Sequence, residues 1–170
     1  KLWGINYNYQ LENLTEDLEI QNELIKEQID YEVNIKVLVD SAQQYLGNDA
    51  DKAILSSLLF ELNGRHTFKA NRVTFNNMIS NGSINLISEA KLQNSIIRYF
   101  QRLDYVESVV NNNNLYMVDS NFGAFVSNNP LGLELNDDYT TNPNIQFNGK
   151  QKYLVFSQLK YRYHASKSIK

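Results

Sequence analysis

Between Asn8 and Leu46 the chain carries neither proline nor glycine, and its apolar residues recur in steps of three and four. Leu11, Leu14, Leu18, Ile25, Ile29 and Val33 mark one stripe; Ile20, Leu24, Tyr31, Ile35, Leu38, Ala42 and Tyr45 mark a second, offset stripe. This spacing predicts a helix that is apolar on more than one side. Some 40 residues at ~1.5 Å each extend ~60 Å, longer than a compact globule of this chain length is wide. Gly47 suits the end of such a helix. Asn48, Asp49 and Asp51 then supply cap candidates for a short helix through Leu62, closed by Asn63-Gly64.

Arg65 to Arg72 reads as a connector. Asn71 can cap the next helix, which carries Val73, Phe75, Met78 and Ile79. Gly82 can take a positive φ at low steric cost, ending the Val73–Ser80 helix in a left-handed cap. Ser88 can cap the following helix with Glu89 at its first position, and Ile87 and Leu92 occupy the sites of a hydrophobic staple. Ile84 and Leu86 are expected beneath the turn. Leu92, Ile96, Tyr99, Leu103, Val106 and Val110 continue a helical stripe. Asn111 to Asn114 look like a break, yet at 100° per residue Met117, Val118 and Phe125 stay near the Leu103 direction. One helix to about Ser127 is therefore expected, stopped by Asn-Asn-Pro130. From Leu131 to Asn148 the pattern is irregular; Leu133 and Leu135, then Ile145 and Phe147, alternate as a small β-ribbon would. Tyr153, Phe156, Leu159 and Tyr163 suit a helix over 150–166, although Leu159, Tyr161 and Tyr163 also suit a strand.

The expected fold is all-α: an elongated bundle or hairpin on two long helices, about 8–46 and 88–127, with shorter helices between and after. The 170 residues predict one domain, with 1–7 as a leading segment and 128–149 as an irregular loop.

Composition changes this picture little. Apolar content of 42%, charged content of 21% and a mean hydropathy of −0.45 are ordinary for a folded domain. A net charge of −3 and a pI near 5.4 give no general electrostatic reason to bind nucleic acid. The basic run Lys160-Tyr-Arg162-Tyr-His164 reads as the solvated end of a helix. Cysteine is absent, which removes disulfides, thiol nucleophiles and Cys-containing zinc sites. His66 and His164 are the only histidines, and neither has a second histidine at helical spacing. No Gly-x-Ser-x-Gly elbow, phosphate loop or dinucleotide fingerprint occurs. Carboxylates such as Glu16, Asp17, Glu19, Glu23 and Glu27 lie at spacings that make a solvated helix face. Neither catalytic residues, a metal nor a cofactor is expected. Recognition is expected on exposed connectors: Arg65, His66 and Phe68 in one, Asp137 and Asp138 in the other.

The stretch FKANRVTFNNMISNGSINLISEAKLQNSIIRYFQRLDYVES, Phe68 to Ser108, follows a helix opening LENLTEDLEIQNELI. Together these resemble a family of uncharacterised proteins found widely in Bacteroidetes-group bacteria. The recurring marks match Phe75, Ser80, Gly82, Leu86, Ile87, Ser88, Leu92, Ile96 or Ile97, Tyr99 and Phe100, and the likeness covers Leu11 to about Phe125. In that family a short cytoplasmic tail and one membrane-spanning helix precede the helical domain. The resemblance implies an extracytoplasmic, periplasmic location and an N-terminal anchor preceding Lys1, with Leu2, Trp3 and Ile5 at its membrane-proximal end. It carries over no catalytic residues. The expected role is to sense or bind a ligand or protein partner without catalysis. The alternatives are a structural module that forms homo-oligomers through the two-striped first helix, and a hydrolase or metal enzyme centred on His66 or His164.

Overall fold

The computed structural model of the chain describes residues 2–47, 52–125 and 149–167. Every element among them is helical: α1 (Leu2–Gly47), α2 (Lys52–Leu62), α3 (Val73–Ser80), a 3₁₀ turn (Ser83–Leu86), α4 (Ala90–Asn112), a π-helical segment (Asn113–Gly123) and α5 (Gly149–Lys167). The all-α expectation holds, with α1 as its long helix, and 150–166 is helix, not strand. The proposed β-ribbon in 131–148 lies outside the described residues, as do Asn48, Asp49, Asp51 and Pro130.

Length set the expectation of one domain. Contacts group the chain into two compact units, each drawn from segments distant in sequence. The first comprises Lys1–Gln28 and Phe68–Ser108; the second comprises Ile29–Thr67 and Val109–Lys170.

On α1 the buried residues are Leu14, Gln21 and Gln28 in the first unit and Glu32, Ile35, Val39, Ala42 and Leu46 in the second. Three of these are polar, which is why apolar periodicity alone suggests two stripes. Ile20, Ile29 and Val33, counted within those stripes, are about half exposed.

In the first unit Gly82 has φ +75°, the left-handed conformation expected, and Asn81 and Gly82 donate to Asn77 O and Ile79 O as α3 ends. The next residues do not form the expected staple. Ile84 and Ile87 are buried, whereas Leu86 and Leu92 are each 48% exposed. The 3₁₀ turn explains this, because residues three apart share a face. The angle into α4 is held by Gln93, whose Nε2 donates to Ile84 O and Asn85 Oδ1. The helix starts at Ala90, one residue later than a Ser88 cap predicts, with Glu89 O accepting from Gln93 N. Phe75 stacks on Phe100 with centroids 4.1 Å apart, and Tyr99 meets Phe100 edge-on.

The second unit has a core of Ile35, Val39, Ala42 and Leu46 from α1, Leu55, Leu59 and Leu62 from α2, Phe122, and Val155 and Leu159 from α5. A large aliphatic or aromatic side chain fully buried there contributes about 1.5–3 kcal/mol. The inward face of α5 runs Val155, Leu159, Arg162; Phe156, expected inside, is 39% exposed and sits under Lys160.

Candidate functional site

The asparagines at 111–114 neither break the helix nor leave it unchanged. From Asn113 to Gly123 the turn widens to π-helix and the chain then continues helically to Phe125. Asparagine competes poorly for α-helix, and here side chains support the wider repeat. Ser120 Oγ donates to Leu115 O at 2.7 Å and Asn121 Nδ2 donates to Tyr116 O, both five residues back. The widening also enlarges the buried set: Phe122 joins Val118 inside, while Met117 and Phe125 are half-buried, Phe125 packing against the core.

Within the second unit, this segment lies along the connector after α2. Arg65 pairs with Asp119, and Asn114 Nδ2 donates to His66 O at 2.9 Å. Gly123 packs closely against Asn63 of the connector. A Cβ there would sit 2.9 Å from Asn63 Oδ1 and 3.2 Å from Val118 O. The His66 ring lies 5.5 Å from the Tyr31 ring, tilted by 34°.

Behind the connector, Arg162 closes the end of α2. Its Nε donates to Leu62 O and its Nη2 to Gly64 O and Tyr31 Oη, each at 3.2 Å, while Tyr31 Oη donates to Gly64 O at 2.7 Å. A guanidinium is well placed at a helix C-terminus, where carbonyls lack partners and the dipole is negative. Arg162 is 2% exposed, so the basic run is not a solvated tail at that position. Burial pulls its pKa below the usual guanidinium value, and Tyr31 and Glu32 oppose that shift. Burial raises the Tyr31 pKa; Arg162 lowers it and Glu32 adds to the rise.

The five residues singled out by sequence thus fare differently. Arg65 and His66 come together with Tyr31, Asn114, Asp119 and Arg162. Phe68 is 2% exposed and packs in the interior of the first unit, not on the surface of the connector. Asp137 and Asp138 lie outside the described residues. Sequence reasoning misses Arg162, although Val155, Leu159 and Arg162 fall at i, i+4 and i+7, one face of a helix. Asn114 and Asp119 give no signal, because their partners lie some fifty residues away.

The first unit has its own polar cluster, around residues 70–74. Asp17 accepts from Asn71 Nδ2 through Oδ1 and from Thr74 N through Oδ2, both at 2.9 Å. The first turn of α3 is therefore capped from α1, while Asn71 Oδ1 reaches only Val73 N at 3.4 Å. Gln21 Oε1 accepts from Asn71 N at 2.7 Å. Arg72 Nη2 lies 2.7 Å from both Asp104 and Glu107, and Glu107 Oε2 also accepts from Ala70 N. Among the described residues no group of three or more His, Asp or Glu side chains could hold a metal ion, and no helix is long and apolar enough to cross a membrane. No family model, curated protein or solved structure matches this chain.

Proposed function

We propose that this chain is a recognition module that binds a ligand or protein partner without chemistry of its own. It would be held on the extracytoplasmic side of a membrane by an anchor preceding Lys1. The observation that supports recognition is the π-helical segment laid against the 63–67 connector. Such segments recur at functional sites. This one presents Leu115 and Tyr116, 51% and 58% exposed, beside the solvent-facing Arg65–Asp119 pair. The hydrogen-bonding groups behind it, on Arg162 and Tyr31, are engaged with carbonyls and with each other, an arrangement suited to holding a surface in shape. The tether rests on the resemblance of Leu11 to Phe125.

Titration of the isotope-labelled chain with panels of amino acids and short peptides, followed by amide chemical shifts, tests the reading. Shifts confined to residues 63–67 and 113–123, and abolished by Arg65→Ala with the fold intact, are expected. Shifts that cluster elsewhere would move the site. Carbonate extraction of the full-length gene product from membranes tests the tether; release as a soluble protein removes it.

A second reading is an oligomerising module. Half-exposed Ile29, Val33 and Val37 in a row on α1 favour it.

A further inference from the structure

We propose that the outward face of α1 around Val33 docks a second copy of this chain across a two-fold axis. This deepens the second reading and leaves the recognition surface of the first untouched. Ile29, Val33 and Val37 succeed one another at four-residue steps and so form one ridge on the helix. They are 49%, 51% and 57% exposed, whereas Ile35 and Val39 on the inward face are at 1% and 0%. A row of β-branched aliphatic side chains is an unusual outer face for a helix in water.

The flanking charges decide what covers the ridge. At about 100° per residue, Asp30 stands about 60° to one side of Val33 and Lys36 about 60° to the other. One lies three residues before Val33 and the other three after it, with opposite signs. Neither takes part in an ion pair among the described residues. When two such helices pack four-residue ridges into four-residue grooves, at an interaxial angle of about −50°, a two-fold axis beside Val33 reverses the flanks. Asp30 of each copy then faces Lys36 of the other, twice, over a closed aliphatic seam. A partner face carrying a single sign of charge would oppose one flank with like charge. The seam removes only a few hundred Å² of apolar surface, the low end for protein interfaces, so a weak and salt-sensitive dimer is the expected product.

Sedimentation equilibrium of the 170-residue chain, from micromolar to millimolar concentration, reads this directly. A monomer–dimer equilibrium is expected, and Val33→Lys should raise Kd about tenfold or more. Asp30→Lys alone and Lys36→Asp alone should each weaken the dimer, and mixing the two variants in equal amounts should restore it, because each then supplies the charge that the other lacks. The chain has no cysteine, so Val33→Cys introduces a single thiol that should form a disulfide-linked dimer under mild oxidation. Asp30 and Val33 are exposed and Lys36 is half-buried, and unchanged circular dichroism confirms that each variant folds. A strict monomer throughout, a dimer indifferent to Val33→Lys, or a mixture no tighter than its components overturns the proposal.

Discussion

The ten residues from Asn63 to Arg72 serve both units, and the two halves are secured by opposite means. In the second unit the backbone of Leu62 and Gly64 is satisfied by one buried cation, Arg162, working with Tyr31. In the first unit the backbone of Ala70, Asn71 and Thr74 is satisfied by acceptors on neighbouring helices: Glu107, Gln21 and Asp17. The difference comes from which end of a helix is involved. The end of α2 offers bare carbonyls and calls for a donor, whereas the start of α3 offers bare N–H groups and calls for an acceptor. It also predicts unequal sensitivity. A single side chain with three bonds in a dry site is harder to replace than several acceptors sharing a wetter one.

The largest effect should come from Arg162→Ala. The stranded Leu62 carbonyl, the Gly64 carbonyl left with Tyr31 alone and the vacated volume together predict a loss of about 3 kcal/mol in urea unfolding. Hydrogen exchange should show the earliest loss of protection at the end of α2. Arg162→Lys keeps the charge without the fork and should recover only part of it. Asp17→Ala should cost about 1–2 kcal/mol, as the removal of a helix cap does, with the Thr74 amide exchanging much faster. If Asp17→Ala proved as damaging as Arg162→Ala, the contrast would fail. Gly123→Ala should cost about 1 kcal/mol through its clash with Asn63, and Asn63→Ala in the same chain should return most of it.

Alkaline pH sharpens the contrast further. Burial raises the pKa of Tyr31 in the second unit and of Tyr99 in the first. A phenol whose folded pKa lies above its unfolded value of about 10 contributes stability that is complete below that pH. That stability declines as pH rises through the folded pKa. Tyr31→Phe and Tyr99→Phe should each flatten part of the decline in denaturant midpoints measured from pH 7 to 11. Smallest of all, Arg65→Ala should change stability by about 0.5 kcal/mol or less, since its pair with Asp119 is largely solvated.

Local grammar is readable where it depends on neighbours in sequence. Gly82 announces its left-handed turn, the limits of α3 are met to the residue, and the unbroken run after Asn8 announces α1. What stays hidden depends on partners far along the chain. Gln21, Gln28 and Glu32 fall outside any apolar pattern because they are polar, yet all three are buried. Asn71 N donates to Gln21 Oε1 there, while Gln21 Nε2 is buried without a hydrogen-bond acceptor among the described residues. Arg162 reads as solvated for the same reason, and its carbonyl partners lie about a hundred residues earlier. The π-helical turn is invisible because a 100° count presumes the α-helical repeat that Asn113–Gly123 abandons. Of the candidate site, Arg65 and His66 are marked out only by lying on a connector; Phe68 shares that connector but its aromatic ring goes inward.

Each unit is stitched from segments separated in sequence, and that has a consequence for the order in which a nascent chain can mature on the ribosome. The first unit has all of its residues in hand once Ser108 has emerged, whereas the second waits for α5. Until Arg162 is translated, Leu62 O lacks its guanidinium donor and Gly64 O has Tyr31 Oη alone. Vectorial synthesis should therefore leave a half-finished intermediate in which residues 68–108 have settled and Ile29–Thr67 has not, and a stalled chain cut before Gly149 would be the natural prey of a protease.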